Sequence, residues 1–177
     1  MALLKIRSEN YNGECGGFLV SKNFVITAAH CGKGRNITVY LGAHNLNKKE
    51  KSQQWIRVQK MFPHKKYNKM TLENDILLLQ LQHKARLTKA VKPIRLPKPR
   101  CRVKKGTICN VAGWGDTSVK SHFPPATLQQ VDLRVNDTAC QKRFAREYDP
   151  CTMMCADDPQ GLKTPFKGDS GGPLVCD

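Results

Sequence analysis

Apolar positions in this chain fall in short runs, alternating with polar residues or unbroken, and the runs are separated by turn residues. Ala2 to Ile6, Gly17 to Val20, Phe24 to Thr27, Ile37 to Leu41, Gln54 to Met61 and Ile76 to Leu81 have the length and composition of strands. The series resumes at Thr107 to Ala112, Leu128 to Val135 and Pro173 to Cys176. Only Thr138 to Phe144 reads as a helix, with Asn136 or Asp137 placed to serve as its N-cap. Many short strands with frequent turns predict an all-β sandwich or barrel and not a βαβ arrangement. Between Lys84 and Lys105 stand ten basic residues, no acidic ones, and prolines at 93, 97 and 99. Proline withholds ladder N–H groups and stiffens an extended path, so this stretch predicts a basic connector between two lobes, residues 1–88 and 103–177.

The 177 residues suffice for one domain with a real core, and 40% hydrophobic content argues for a folded chain. No apolar run approaches the roughly 18 residues of a membrane-spanning helix, and Ile76-Leu77-Leu78-Leu79 is strand-sized. Residues 1–6 read as a strand and carry no cleavage site, so no signal peptide is expected at Met1. Eight cysteines predict an oxidising compartment and a disulfide framework. Zinc competes for Cys151 and Cys155, but Cys140 and Cys176 supply no second closely spaced pair, so neither metal nor cofactor is expected. The net charge of +16 and pI near 9.7 change the picture of partners. Such a surface attracts polyanions. Sulfated glycans or anionic storage matrices suit a disulfide-bonded chain better than nucleic acid, for which no aromatic-interleaved basic motif is present.

Candidate chemistry begins at Gly168-Asp169-Ser170-Gly171-Gly172. By itself this is turn chemistry. Glycines on both sides, however, let the backbone approach a substrate and aim N–H groups at a developing oxyanion. Phe24 to Cys31 ends an apolar run on His30 beside a cysteine, a setting that would fix an imidazole able to take and return a proton. His44, His64, His83 and His122 have no comparable setting. Asp75 stands at the mouth of the apolar run Ile76 to Leu79, where a carboxylate needs a hydrogen-bond donor, and a histidine N–H would serve.

Taken together, Thr27-Ala28-Ala29-His30-Cys31, Asn74-Asp75-Ile76-Leu77-Leu78, Ala112-Gly113-Trp114-Gly115 and Gly168-Asp169-Ser170-Gly171-Gly172-Pro173 resemble the chymotrypsin-like, or trypsin-fold, serine proteases. The resemblance implies a double antiparallel β-barrel and a catalytic triad in which Ser170 attacks, His30 shuttles the proton and Asp75 orients His30. It places the oxyanion hole at the N–H groups of Gly168 and Ser170, and implies the disulfides Cys15–Cys31, Cys109–Cys176 and Cys140–Cys155. Cys101 and Cys151 are left over, to pair with each other, with a cysteine beyond Asp177, or to stay free.

Phe166, within Lys163-Thr164-Pro165-Phe166-Lys167-Gly168, together with Leu41-Gly42-Ala43-His44-Asn45, is similar to the granule-stored branch, granzymes above all. That branch implies protein substrates, serine protease inhibitors, sulfated proteoglycan or another polyanion as partner, and a secretory-granule or extracellular location. Thr164 stands where trypsin-like members hold the acid of the specificity pocket, which implies non-tryptic cleavage. The family's activated amine, the partner of Asp169, would lie ahead of Met1, and further pocket strands after Asp177. On that comparison the domain is truncated at both ends, and residues 1–177 alone are expected to be poorly active. A non-catalytic, polyanion-binding homologue is the alternative. Asn36-Ile37-Thr38 and Asn136-Asp137-Thr138 have the form of glycosylation acceptors, and Asn136 reads equally well as a helix cap.

Overall fold

The computed structural model describes the chain apart from residues 35, 99–101, 118–123, 146–147 and 177. Expectations about Cys101 and His122 fall outside the described residues. Six strands close into a barrel: β1 (Ala2–Ser8), β2 (Tyr11–Ser21), β3 (Phe24–Thr27), β4 (Asn36–Leu41), β5 (Gln54–Pro63) and β6 (Leu77–Leu81), in the order β1-β2-β3-β6-β5-β4. Every pairing in the barrel is antiparallel. Alternation builds it, because strand side chains point to opposite faces in turn. In β4, Ile37, Val39 and Leu41 point inward while Asn36, Thr38 and Tyr40 face out. Leu4, Ile6, Val25, Ile56, Leu77, Leu79 and Leu81 fill the interior with them. Burying one such side chain contributes about 1.5–3 kcal/mol.

The second lobe is a four-stranded antiparallel sheet, β10-β7-β8-β9, formed by β7 (Ile108–Gly113), β8 (Gln129–Val135), β9 (Ala156–Asp157) and β10 (Leu174–Cys176). One helix, α1 (Asp137–Arg143), accompanies it. Among the described residues the chain is therefore all-β apart from this helix and a short 3-10 turn. The short β9 has no counterpart among the expected runs, several strand bounds shift by one or two residues, and three further differences follow. β2 begins at Tyr11, six residues before the expected Gly17, because β1 pairs with it from Ser8↔Tyr11 to Ala2↔Gly17. The helix starts one residue early, and Asn136 occupies the N-cap position without capping: its Nδ2 donates to Asp157 Oδ2 at 3.3 Å instead. The strand expected from Ile76 begins at Leu77, and Ile76 is half exposed.

The basic stretch holds no strand or helix from Gln82 to Lys98. It is laid along the first barrel by the buried side chains of Ala85 and Val91 and by N–H donations from Ala85 to Lys22 O (2.7 Å) and from Ile94 to Leu19 O (2.8 Å). Along this stretch Lys84, Arg86, Lys89, Lys92, Arg95 and Lys98 are all exposed. The sole Lys or Arg ion pair among the described residues is Lys5–Glu14 at 3.7 Å. The cations therefore face solvent largely uncompensated.

Three disulfides form, with the pairings the resemblance implied: Cys15–Cys31, Cys109–Cys176 and Cys140–Cys155. The last removes Cys155 from any set of zinc ligands, and Cys151 is an exposed free thiol. Near it the Tyr148 hydroxyl donates to Asp137 Oδ1 at 2.5 Å. Burial, and then that bond, push the phenol up to about 12, so it stays protonated as a donor.

Candidate active site

His30 sits in the 3-10 turn Ala29–Lys33, which follows β3 and contains Cys31 of the Cys15–Cys31 disulfide. That bridge ties the turn to β2 across a sequence separation of 16, a loop for which cross-linking contributes about 3 kcal/mol in the chain-entropy account. Asp75 comes from the neighbouring strand's end, just ahead of β6. Asn74, with a φ of 53°, turns the chain there, and Ile76 N–H donates back to Asn74 O at 2.7 Å. β3 and β6 are hydrogen-bonded neighbours in the register Thr27↔Leu77, so the two ends meet.

The result is a two-point grip. Asp75 Oδ1 accepts the backbone N–H of His30 at 2.8 Å, and Oδ2 lies 2.6 Å from Nδ1. The carboxylate retains 20% of its side-chain exposure and the imidazole 32%. A carboxylate on Nδ1 fixes the proton there and leaves Nε2 as the acceptor.

Ser170 is held against the same barrel from the second lobe. Its carbonyl accepts Gly16 N–H at 2.7 Å and lies 3.8 Å from Cys31 Sγ. Thr27, buried next to the histidine turn, fixes Gly16 in turn through Oγ1 to Gly16 O at 2.7 Å. Gly168 and Gly171 have φ of +100° and +81°, conformations that suit glycine. A Cβ on Gly171 would strike Thr27 Oγ1 and come within 2.6 Å of Ala28 N and 2.8 Å of Gly16 O. Gly171→Ala is therefore expected to lose about 1–3 kcal/mol to backbone strain alone, with the clash added, read as a lower urea midpoint.

Two backbone donors at Ser170, the N–H groups of Gly168 and Ser170 itself, have no protein acceptor among the described residues, although Asp169 N–H and Gly172 N–H both have one. His30 makes its hydrogen bonds to Asp75 and none to the Ser170 hydroxyl, a contact that commonly tightens only with substrate bound.

Asp169 turns its carboxylate away from Ser170. Oδ1 accepts Gly115 N–H at 2.8 Å and Oδ2 accepts Phe166 N–H at 3.0 Å. Gly113 and Gly115 make room for it, since a Cβ on either would overlap the carboxylate. A cavity of about 590 Å³ opens beside Asp169, lined also by Gly115, Thr164, Pro165 and Phe166. Trp114 between the two glycines is buried and donates Nε1–H to His44 O at 3.1 Å, tying the second lobe to the first.

The structure thus joins His30 to Asp75 directly and seats Ser170 on the His30 side of the barrel. Thr164 lies with Asp169 at the neighbouring cavity. Gly16 and Thr27, which position Ser170, carry no sequence signal of that role: Gly16 acts through its backbone, and Thr27 reads as one more strand residue.

Comparison with known proteins identifies the family. The family model described as Trypsin matches residues 1–177. Granzyme E of Mus musculus is 51% identical over 179 residues, covering 100% of this chain and 71% of the relative. Granzyme H of Homo sapiens is 48% identical over 177 residues, covering 99% of this chain and 71% of its own length. A solved structure described as "Structure of GrC" superposes with a TM-score of 0.92 at 44% identity, covering 99% of this chain and 77% of that one. Motifs, barrel and relatives converge: the chain belongs to the trypsin family of serine proteases.

Proposed function

We propose that this protein is a granzyme-like serine endopeptidase that works through His30, Asp75 and Ser170. The observation that supports this most is the two-point hold of Asp75 on His30, which leaves Nε2 free to act as a base, beside the anchoring of the Ser170 carbonyl on Gly16 N–H and next to Cys31. Ser170 Oγ attacks the scissile carbonyl while His30 Nε2 takes the hydroxyl proton. The uncommitted N–H groups of Gly168 and Ser170 receive the oxyanion, where one such donor contributes about 3 kcal/mol. His30 then delivers its proton to the leaving amine, and water enters by the same route to release the acyl group. No metal or cofactor takes part in this scheme.

Asp169 serves as the activation partner, its carboxylate facing a cavity in which a cationic amine would find a counter-charge. Thr164 offers a neutral side chain at the specificity pocket, so substrate Lys or Arg gains no ion pair there. Proteins are the substrates of the family, and inhibitors that mimic them are partners of the same cleft. The outward cations of the 84–98 strap and the net charge of +16 support retention on sulfated proteoglycan, in keeping with a granule or extracellular location.

Profiling the enzyme as secreted against a peptide library tests the specificity. Cleavage after neutral, apolar or acidic residues with little after Lys or Arg is expected. Preferential cleavage after Lys or Arg would contradict the role given to Thr164.

A further inference from the structure

Outside the catalytic region, the outer face of β1, β4 and β5 is the least explained surface. Trp55 is 70% exposed there, whereas Trp114, the chain's other tryptophan, is 3% exposed. Trp55 pairs across the strands with Tyr40, whose ring carries Lys5 Nζ at 5.3 Å from its centroid. Thr38 lies opposite both Arg57 and Lys5, and Asn36 lies opposite Arg7. Asn36, Thr38 and Tyr40 share this outward face, because Ile37 and Val39 between them are buried. The acceptor triplet Asn36-Ile37-Thr38 and the aromatic pair therefore occupy one continuous surface. At roughly 3.3 Å per residue, Asn36 and Tyr40 are separated by about 13 Å along the strand.

We propose that Asn36 carries an N-linked oligosaccharide whose inner sugars lie over the Tyr40–Trp55 pair. Transfer joins Asn36 Nδ2 to the anomeric carbon of an oligosaccharide borne on a lipid diphosphate. The anomeric C–O bond breaks, the lipid diphosphate leaves with the electron pair, and Nδ2 gives up one proton. Passage through the compartment that supplies this donor is implied by the three disulfides. Asn36 itself is exposed and makes no side-chain hydrogen bond among the described residues.

The occupant follows from the setting. Aromatic rings offer flat apolar faces to the C–H faces of sugars. Attachment at Asn36 makes the contact intramolecular, so weak stacking suffices. Lys5, Arg7 and Arg57 on the same face, in a chain of net charge +16, oppose docking of a second copy. A neutral tethered sugar meets no such opposition. The second triplet is already engaged by the fold: Asn136 Nδ2 donates to Asp157, and Asp137 accepts Tyr148 O–H and Cys155 N–H.

The test uses protein exported by animal cells. Peptide mass spectrometry is expected to find Asn36 glycosylated. Acrylamide quenching of tryptophan fluorescence is expected to rise when the glycan is trimmed to its first sugar, and in Thr38→Val, which keeps Asn36 but removes the acceptor triplet. The trimming effect should vanish in Trp55→Phe, where the buried Trp114 is the remaining tryptophan. Unmodified Asn36 would overturn the proposal, as would quenching that trimming leaves unchanged. Peptidase activity plays no part in the readout, so the inference stands or falls apart from the proposed function.

Discussion

Ser170→Ala is expected to lower kcat of the secreted enzyme by roughly four to six orders of magnitude while leaving KM within a few-fold. The physical reason lies in what the substitution leaves behind. Alanine removes Oγ alone, and the groups that seat the nucleophile are main-chain or distant: Gly16 N–H on the residue's own carbonyl, Gly168 and Gly171 in their positive-φ conformations, and the Cys15–Cys31 bridge alongside. Fold and cleft should survive, as should the N–H groups of Gly168 and Ser170 proposed to receive the oxyanion. The residual rate would then report those donors and substrate positioning without covalent catalysis. Unchanged thermal unfolding with activity near background is the expected pair of results. A variant retaining a tenth or more of the wild-type rate would remove Ser170 from the mechanism.

Asp75→Asn is expected to cost about four orders of magnitude in kcat, again with little change in KM. Asp75 accepts two His30 donors, the backbone N–H on Oδ1 and Nδ1–H on Oδ2. Asparagine has one carbonyl oxygen and an NH2 group, so one of those donors meets a donor. If the backbone bond is kept, Nδ1 must become an acceptor, which moves the ring proton to Nε2 and disables it as a base. If Nδ1 keeps its proton, the amide turns its NH2 towards the His30 backbone N–H and the turn loses its anchor. Either outcome damages the base without touching the substrate, so kcat and not KM should carry the loss. Steady-state kinetics beside a crystal structure of the variant would separate the two outcomes.

Much of this was legible in the residues because the relevant signals are local. The alternation Ile37-Thr38-Val39-Tyr40-Leu41 specifies both a strand and its inward face. Asp75 reads as an acid in need of a donor because the apolar run follows it directly, and its partner proved to be His30 across the β3–β6 pairing. What was hidden depends on contacts distant in sequence. β2 extends back to Tyr11 only because β1 is there to pair with it, a gain that the polar residues Asn12 and Glu14 do not advertise. The Asn136 side chain prefers Asp157, 21 residues away, to the helix end beside it. Thr27 is a buried hydroxyl whose acceptor, Gly16 O, lies 11 residues back. The need for glycine at 113 and 115 likewise appears only once the Asp169 carboxylate is folded against them.

In the proposed mechanism His30, held by Asp75, activates Ser170 as a nucleophile. Reaction of the secreted protein with a fluorophosphonate, followed by peptide mass spectrometry, tests it most directly, because the reagent phosphonylates an activated serine and needs no knowledge of the natural substrate. One adduct is expected, on Ser170, with labelling lost in His30→Ala and strongly slowed in Asp75→Asn. No adduct on wild-type protein, or labelling of Ser170 that persists unchanged without His30, would contradict it.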